Sequence, residues 1–226
     1  MLNIIIGIIP GIVFAILFYL LDKKKKDINI VLLIATFLFG CVSSYLCYRL
    51  EWHFGGYFKE MYESNILEVF IYALLGVALF EEGAKLFFSF LFSSLNKVRK
   101  LSNIVTYCVV SACGFLAFEN AIFYSMRYGL NTSISRIFTA SPMHVCCAII
   151  MGVLLYRVIR IKKFNIKSIM NMFITLLVPC VIHALYNTFL YQNNSSIMIF
   201  SYLLLVLLVI ICFIIVIRVY FLRRDL

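Results

Sequence analysis

The sequence predicts an all-α polytopic membrane protein of about seven transmembrane helices, on three observations. Of its 226 residues 64% are hydrophobic and 13% charged, with a mean hydropathy of +1.04; an ordinary soluble domain carries about 45–50% apolar and about 25% charged residues. The apolar residues come in runs of about twenty, the length a helix needs to cross the hydrocarbon core. They lack the alternation over about ten residues that marks a barrel strand. Short clusters of Lys and Arg separate the runs.

The first span is expected over residues 2–21. No basic segment precedes it and no small-residue cleavage site follows it, so it reads as a retained span rather than a signal peptide. Lys23, Lys24, Lys25 and Lys26 come directly after it. Further spans are expected at 28–48, 67–92, 102–126, 138–158, 168–190 and 197–218. The loops after spans 1, 3 and 5, with the C-terminal tail, hold fifteen Lys and Arg. Those after spans 2, 4 and 6 hold four: Arg49, Lys59, Arg127 and Arg136. By the positive-inside rule the N-terminus is outside and the C-terminus cytoplasmic. The longest loop, 49–66, then lies outside, with Trp52 at the interface. No internal repeat and no paired broken helices are visible, so residues 1–226 read as a single domain rather than an inverted-repeat carrier.

The net charge of +10 does not indicate nucleic acid, because the cations sit in topological clusters rather than on a binding face. The chain's surroundings are the lipid bilayer. Its composition, rich in Ile, Lys, Asn, Phe and Tyr, suggests a bacterial plasma membrane. The eight cysteines all lie inside apolar stretches without a CxxC pair, and read as small packing residues.

Four of the spans carry groups that are costly in lipid. Glu81, Glu82 and Lys85 lie in FEEGAKLFF, Glu119 in GFLAFENAIFY, His144 in SPMHVCCAIIMG and His183 in VIHALYNTF. A charged side chain at the centre of a span costs roughly 2.5–3.5 kcal/mol on insertion scales, and such groups usually face a bundle interior or a wet cavity. The expected depths put both histidines and Glu119 about 10 Å below the outer surface, with the glutamate pair about 10 Å deeper. Small and polar residues flank them at helical spacing, as helix interfaces in lipid require. Glu81 and Lys85 form an i,i+4 pair, which leaves Glu82 without a cation. Asn120 and Asn187 read as orienting groups.

These motifs resemble the PrsW family of intramembrane proteases. The match rests on Glu81-Glu82-Gly83-Ala84-Lys85; on Gly114-Phe115 with Glu119-Asn120; on Arg136 to His144 with Pro142; and on Pro179 to Asn187 around His183. The resemblance implies a site-1-type protease that cuts a single-pass membrane protein near its extracytoplasmic side, an anti-sigma factor in a stress response being the type of substrate. It implies that Glu81, Glu82 and His183 carry catalysis. One residue departs from the pattern: Asn187 stands in the run after the final histidine where the type member of the family has an Asp. An Asp binds a cation, whereas Asn only hydrogen-bonds.

Two chemistries stay open for the candidate site of Glu81, Glu82, His144, His183 and Glu119, with Lys85, Asn120 and Asn187 around it. In one, a glutamate activates water and the histidines position it, without metal. In the other, His144, His183 and Glu119 hold Zn2+. Two readings outside peptide hydrolysis also remain: a scaffold that binds a transmembrane helix, and a proton-coupled carrier.

Overall fold

The computed structural model describes residues 2–22, 27–62, 65–125, 128–161, 165–192 and 194–222. Lys23 to Lys26, Arg127, Lys162, Lys163, Arg223 and Arg224, which belong to the charge reading above, lie outside these. The described residues are helical almost throughout and contain no strand. In order they form α1 (Leu2–Leu21), α2 (Ile30–Tyr62), α3 (Ile66–Ile71), a π-helical stretch (Tyr72–Ala78) and α4 (Leu79–Leu95). There follow α5 (Leu101–Phe118) with a second π stretch (Glu119–Ser125), α6 (Leu130–Phe138), α7 (Ala140–Ile159), α8 (Ile166–Tyr191) and α9 (Ser195–Val216) with a terminal π stretch (Ile217–Leu222).

Six helical stretches among the described residues are long and apolar enough to cross a bilayer, and the chain is a multi-pass membrane protein. The expected third span is helical from Ile66 to Leu95. Any eighteen consecutive residues of it contain at least three of Glu68, Glu81, Glu82 and Lys85, so the charges of the candidate site themselves lower its apolarity. Two boundaries differ from expectation. Residues 49–62, expected as an outer loop, continue α2 without a break. The run contains no proline to stop the helix. The fifth span begins earlier: α6 precedes α7, with the break at Thr139 (φ −120°, ψ −82°).

α5 is the central helix. In an apolar eighteen-residue window of Leu101–Ile122, 89% of the residues are buried, against 22% in the corresponding windows of Leu2–Leu21 and Ser195–Leu222. Without a hydrophobic driving force between helices in lipid, close packing depends on small residues that let backbones approach. A Cβ on Gly114 of α5 would lie 1.9 Å from the Phe37 carbonyl oxygen of α2, and one on Gly40 of α2 would lie 2.3 Å from that of Ser111. α1, α7 and α4 also pack on α5. The outer faces of α1, α8 and α9 expose Ile16, Phe173 and Phe213 among many apolar side chains, the surface a bilayer covers. All eight cysteines are free, and all but the half-buried Cys41 are buried.

Candidate functional site

Both carboxylate motifs stand at junctions between π- and α-helix. The first π stretch ends at Ala78, three residues before Glu81; the second begins at Glu119. A π turn leaves carbonyls off the i→i−4 ladder, and such turns recur at functional sites. Near the first junction two thiols meet backbone carbonyls: Cys180 Sγ of α8 lies 3.5 Å from Ala78 O, and Cys47 Sγ of α2 lies 3.3 Å from Phe80 O. The cysteines therefore pack, as expected, and also tie α2 and α8 to the backbone that carries Glu81 and Glu82.

Three helices, α4, α7 and α8, converge. One donor atom from each of Glu81, Glu82, His144 and His183 lies within 4.8 Å of the others, and all four residues are buried. The expectation that the glutamates sit about 10 Å deeper than the histidines is corrected. Counted from the basic end of each helix (Leu95, Leu101, Ile159 and Ile166), Glu81, Glu119, His144 and His183 lie fourteen to eighteen residues in. That is about 21–27 Å from one face for all of them. The earlier start of the fifth span at α6 accounts for His144, which stands fourteen residues from Leu130 rather than six from an outer end.

Lys85 is the centre of the cluster. Its Nζ donates to Glu82 Oε1 at 2.8 Å and to Glu81 Oε2 at 3.4 Å, and lies 2.9 Å from His144 Nδ1. It also stands 4.3 Å from the centroid of the Phe115 ring. The i,i+4 pair with Glu81 exists, but the shorter contact is with Glu82 at i+3. An ammonium has donors and no acceptor, so His144 Nδ1 accepts from it. His144 Nε2 must then carry the proton, and it lies 3.0 Å from Glu119 Oε2. On the other side, His183 Nδ1 lies 2.8 Å from Glu82 Oε1. The two imidazoles meet edge to face, 5.2 Å between centroids.

Glu119 lies one step further out. It is salt-bridged to Arg136 of α6 at 2.8 Å. Arg136 Nε also donates to Asn120 Oδ1, and Asn120 Nδ2 donates to Ser141 Oγ at 3.0 Å. Asn120 thus links α6, α7 and the second π stretch through hydrogen bonds. The four-residue cluster around the histidines contains the glutamate pair and not Glu119, unlike the His144–His183–Glu119 set considered from sequence.

A cavity of about 390 Å³ reaches the cluster. Glu81, Glu119, His144, His183, Arg136 and Asn187 line it; Glu82 and Lys85 lie behind its wall. It extends toward Tyr48, Tyr128 and Tyr191, at the end of the bundle opposite the basic loops. Glu51 also lines it. Sequence reasoning missed this acid because it assigned residue 51 to a loop; a continuation of the α2 helix past residue 48 was the available signal.

The donor set suits a metal in kind and in size: two imidazoles and two carboxylates, the chemistry of His2Glu sites. Glu82 Oε2 is buried without a hydrogen-bond partner, as an oxygen that faces a cation or water would be. The Lys85 ammonium, however, already stands against three of the four residues, so a metal would take His144 Nδ1 and the Glu82 carboxylate only once Lys85 swings aside.

No curated protein and no solved structure matches the chain. A family model does: that of the PrsW family intramembrane metalloproteases, over residues 29–217.

Proposed function

The chain belongs to the PrsW family of intramembrane metalloproteases, and we propose that it cuts a single-pass membrane protein from the extracytoplasmic side, at the cavity lined by Glu81 and His183. The observation that supports this most is the convergence of two glutamates and two histidines from three helices onto a cavity open at one end of the bundle. The family is that of a membrane hydrolase. The substrate class, the side of cleavage and the roles below are our reading.

Glu81 faces the cavity while Glu82 lies behind it, which separates their work. Glu82 accepts from His183 Nδ1–H and so leaves Nε2 of His183 free to accept, the arrangement by which a carboxylate sets an imidazole's tautomer. A water between Glu81 and His183 Nε2 would donate one hydrogen to each. Glu81 takes its proton as the oxygen attacks the scissile carbonyl and returns it to the departing amine as the C–N bond breaks. Asn187, one turn past His183 and lining the same cavity, is placed to donate to the oxyanion. Lys85 offsets one of the two charges of the glutamate pair and fixes His144. A divalent metal on Glu81, Glu82, His144 and His183 would polarise the carbonyl and activate the water.

An anti-sigma factor in a bacterial plasma membrane fits this substrate class: one helix with an extracytoplasmic segment that can enter the cavity. The test is mass spectrometry of membrane-protein fragments released from cells making the wild type, Glu81→Gln or His183→Ala. The proposal expects fragments that begin or end near the outer edge of a single span, present with the wild type alone. Equal release by both variants would leave the chain a helix-binding scaffold.

A further inference from the structure

A second cavity, of about 710 Å³, opens at the basic end of the bundle and runs inward to Leu86, the residue after Lys85. We propose that it binds one anionic phospholipid, an acyl chain inside and the phosphate against Arg99. The proposal does not rest on the proteolytic reading.

Its walls come from the end of α4, the end of α7 and the beginning of α8. The deep part is apolar, with Leu86 and Phe90 facing Met172 and Leu176. Arg99 and Ser168 stand at its shallow end. From Ser168 to Leu176 the helix rises about 12 Å, which sets the depth. The chain segments that form the mouth also carry Lys97, Lys100, Arg157, Arg160 and Lys167. Arg99 is exposed, and one of its Nη atoms donates to the Ile159 carbonyl at 3.5 Å; the rest of its planar fork, which suits phosphate, lies at the rim. Basic pockets between helices at the cytoplasmic face are where lipid phosphates bind.

Surroundings and charge decide the occupant. The rim continues into side chains that face the bilayer: Phe87 is 60% exposed, Phe173 58% and Ile169 48%. A cavity open sideways to hydrocarbon meets lipid first. The Arg99 cation at the shallow end and the apolar walls below it match the phosphate and one acyl chain of a single lipid.

The experiment is native mass spectrometry of the full-length protein purified in detergent and mixed with phosphatidylglycerol, with phosphatidylcholine, or with glycerol 3-phosphate. The wild type is expected to retain phosphatidylglycerol over phosphatidylcholine by about fivefold, the effect of one cation near a phosphate, and to retain no glycerol 3-phosphate. Arg99→Glu removes the preference between the lipids. Met172→Trp fills the deep part and reduces retention of both, with unchanged elution on size exclusion. Equal retention of the two lipids by the wild type, retention of glycerol 3-phosphate alone, or phosphatidylglycerol binding unaffected by both variants would overturn the site.

Discussion

The Lys85 ammonium is in direct contact with both glutamates and is fully buried, as is Glu82. Removing one partner of a buried ion pair leaves an uncompensated charge and costs about 3–5 kcal/mol. Lys85→Met is therefore expected to lower the melting temperature of the detergent-purified protein clearly. Added zinc should restore part of the loss, since the substitution frees His144 Nδ1 and both carboxylates. A melting curve that ignores zinc, with no metal retained by elemental analysis, would speak for metal-free chemistry. At the same scale, Glu81→Gln should reduce cleavage by about 10²–10⁴-fold, the range for a general base, and fragment quantification on blots measures it. Arg136→Ala strips Glu119 of its salt bridge. It is expected to lower stability and to loosen His144, which a denaturation series would register.

Among these residues, Glu81, Glu82, His144, His183 and Glu119 were legible in the sequence, because an ionisable group inside a span has few structural uses. The partnerships were less legible. Sequence spacing points Lys85 to Glu81, yet the closer contact is with Glu82, and its bond to His144 spans fifty-nine positions. Contacts between helices depend on rotation and depth, which no local pattern encodes. Glu51 was hidden for a simpler reason: a polar, aromatic stretch after a span reads as a loop, while α2 in fact continues through it.

At the scale of the elements, α5 decides the architecture, since α1, α2, α4 and α7 all pack on it. The close crossing of α2 and α5 requires Gly40 and Gly114. A Cβ at position 114 meets backbone rather than a movable side chain, so Gly114→Val forces the helices apart. Overpacking of this kind costs about 1–3 kcal/mol or more. Gly114→Val is expected to lower thermal stability and also to impair cleavage, because Glu119 lies five residues further along the same helical run; Gly83→Ala, where only a Leu176 methyl comes within 3.9 Å, should do neither. The long spans were legible by length and hydropathy. The two π stretches beside the carboxylates were not, because a π turn differs from an α turn by one hydrogen-bond register and has no strong composition of its own.

For the molecule as a whole, the acids and imidazoles share one level, and their cavity opens away from the basic loops. By the positive-inside rule the cavity is expected to face the outside. Labelling with a membrane-impermeant maleimide tests this: Ser196→Cys, at the start of α9 beside the cavity end, should react in intact cells, and Lys97→Cys only after lysis. The native cysteines give little background, being buried apart from the half-buried Cys41.

The most direct test of the central claim is cleavage by the purified protein in proteoliposomes, with a single-pass substrate identified from the released fragments and the cut bond located by mass spectrometry. The account predicts one principal cut near the outer edge of the substrate span, made by the wild type and lost in both Glu81→Gln and His183→Ala. Cleavage of the same bond by either variant at the wild-type rate would contradict it.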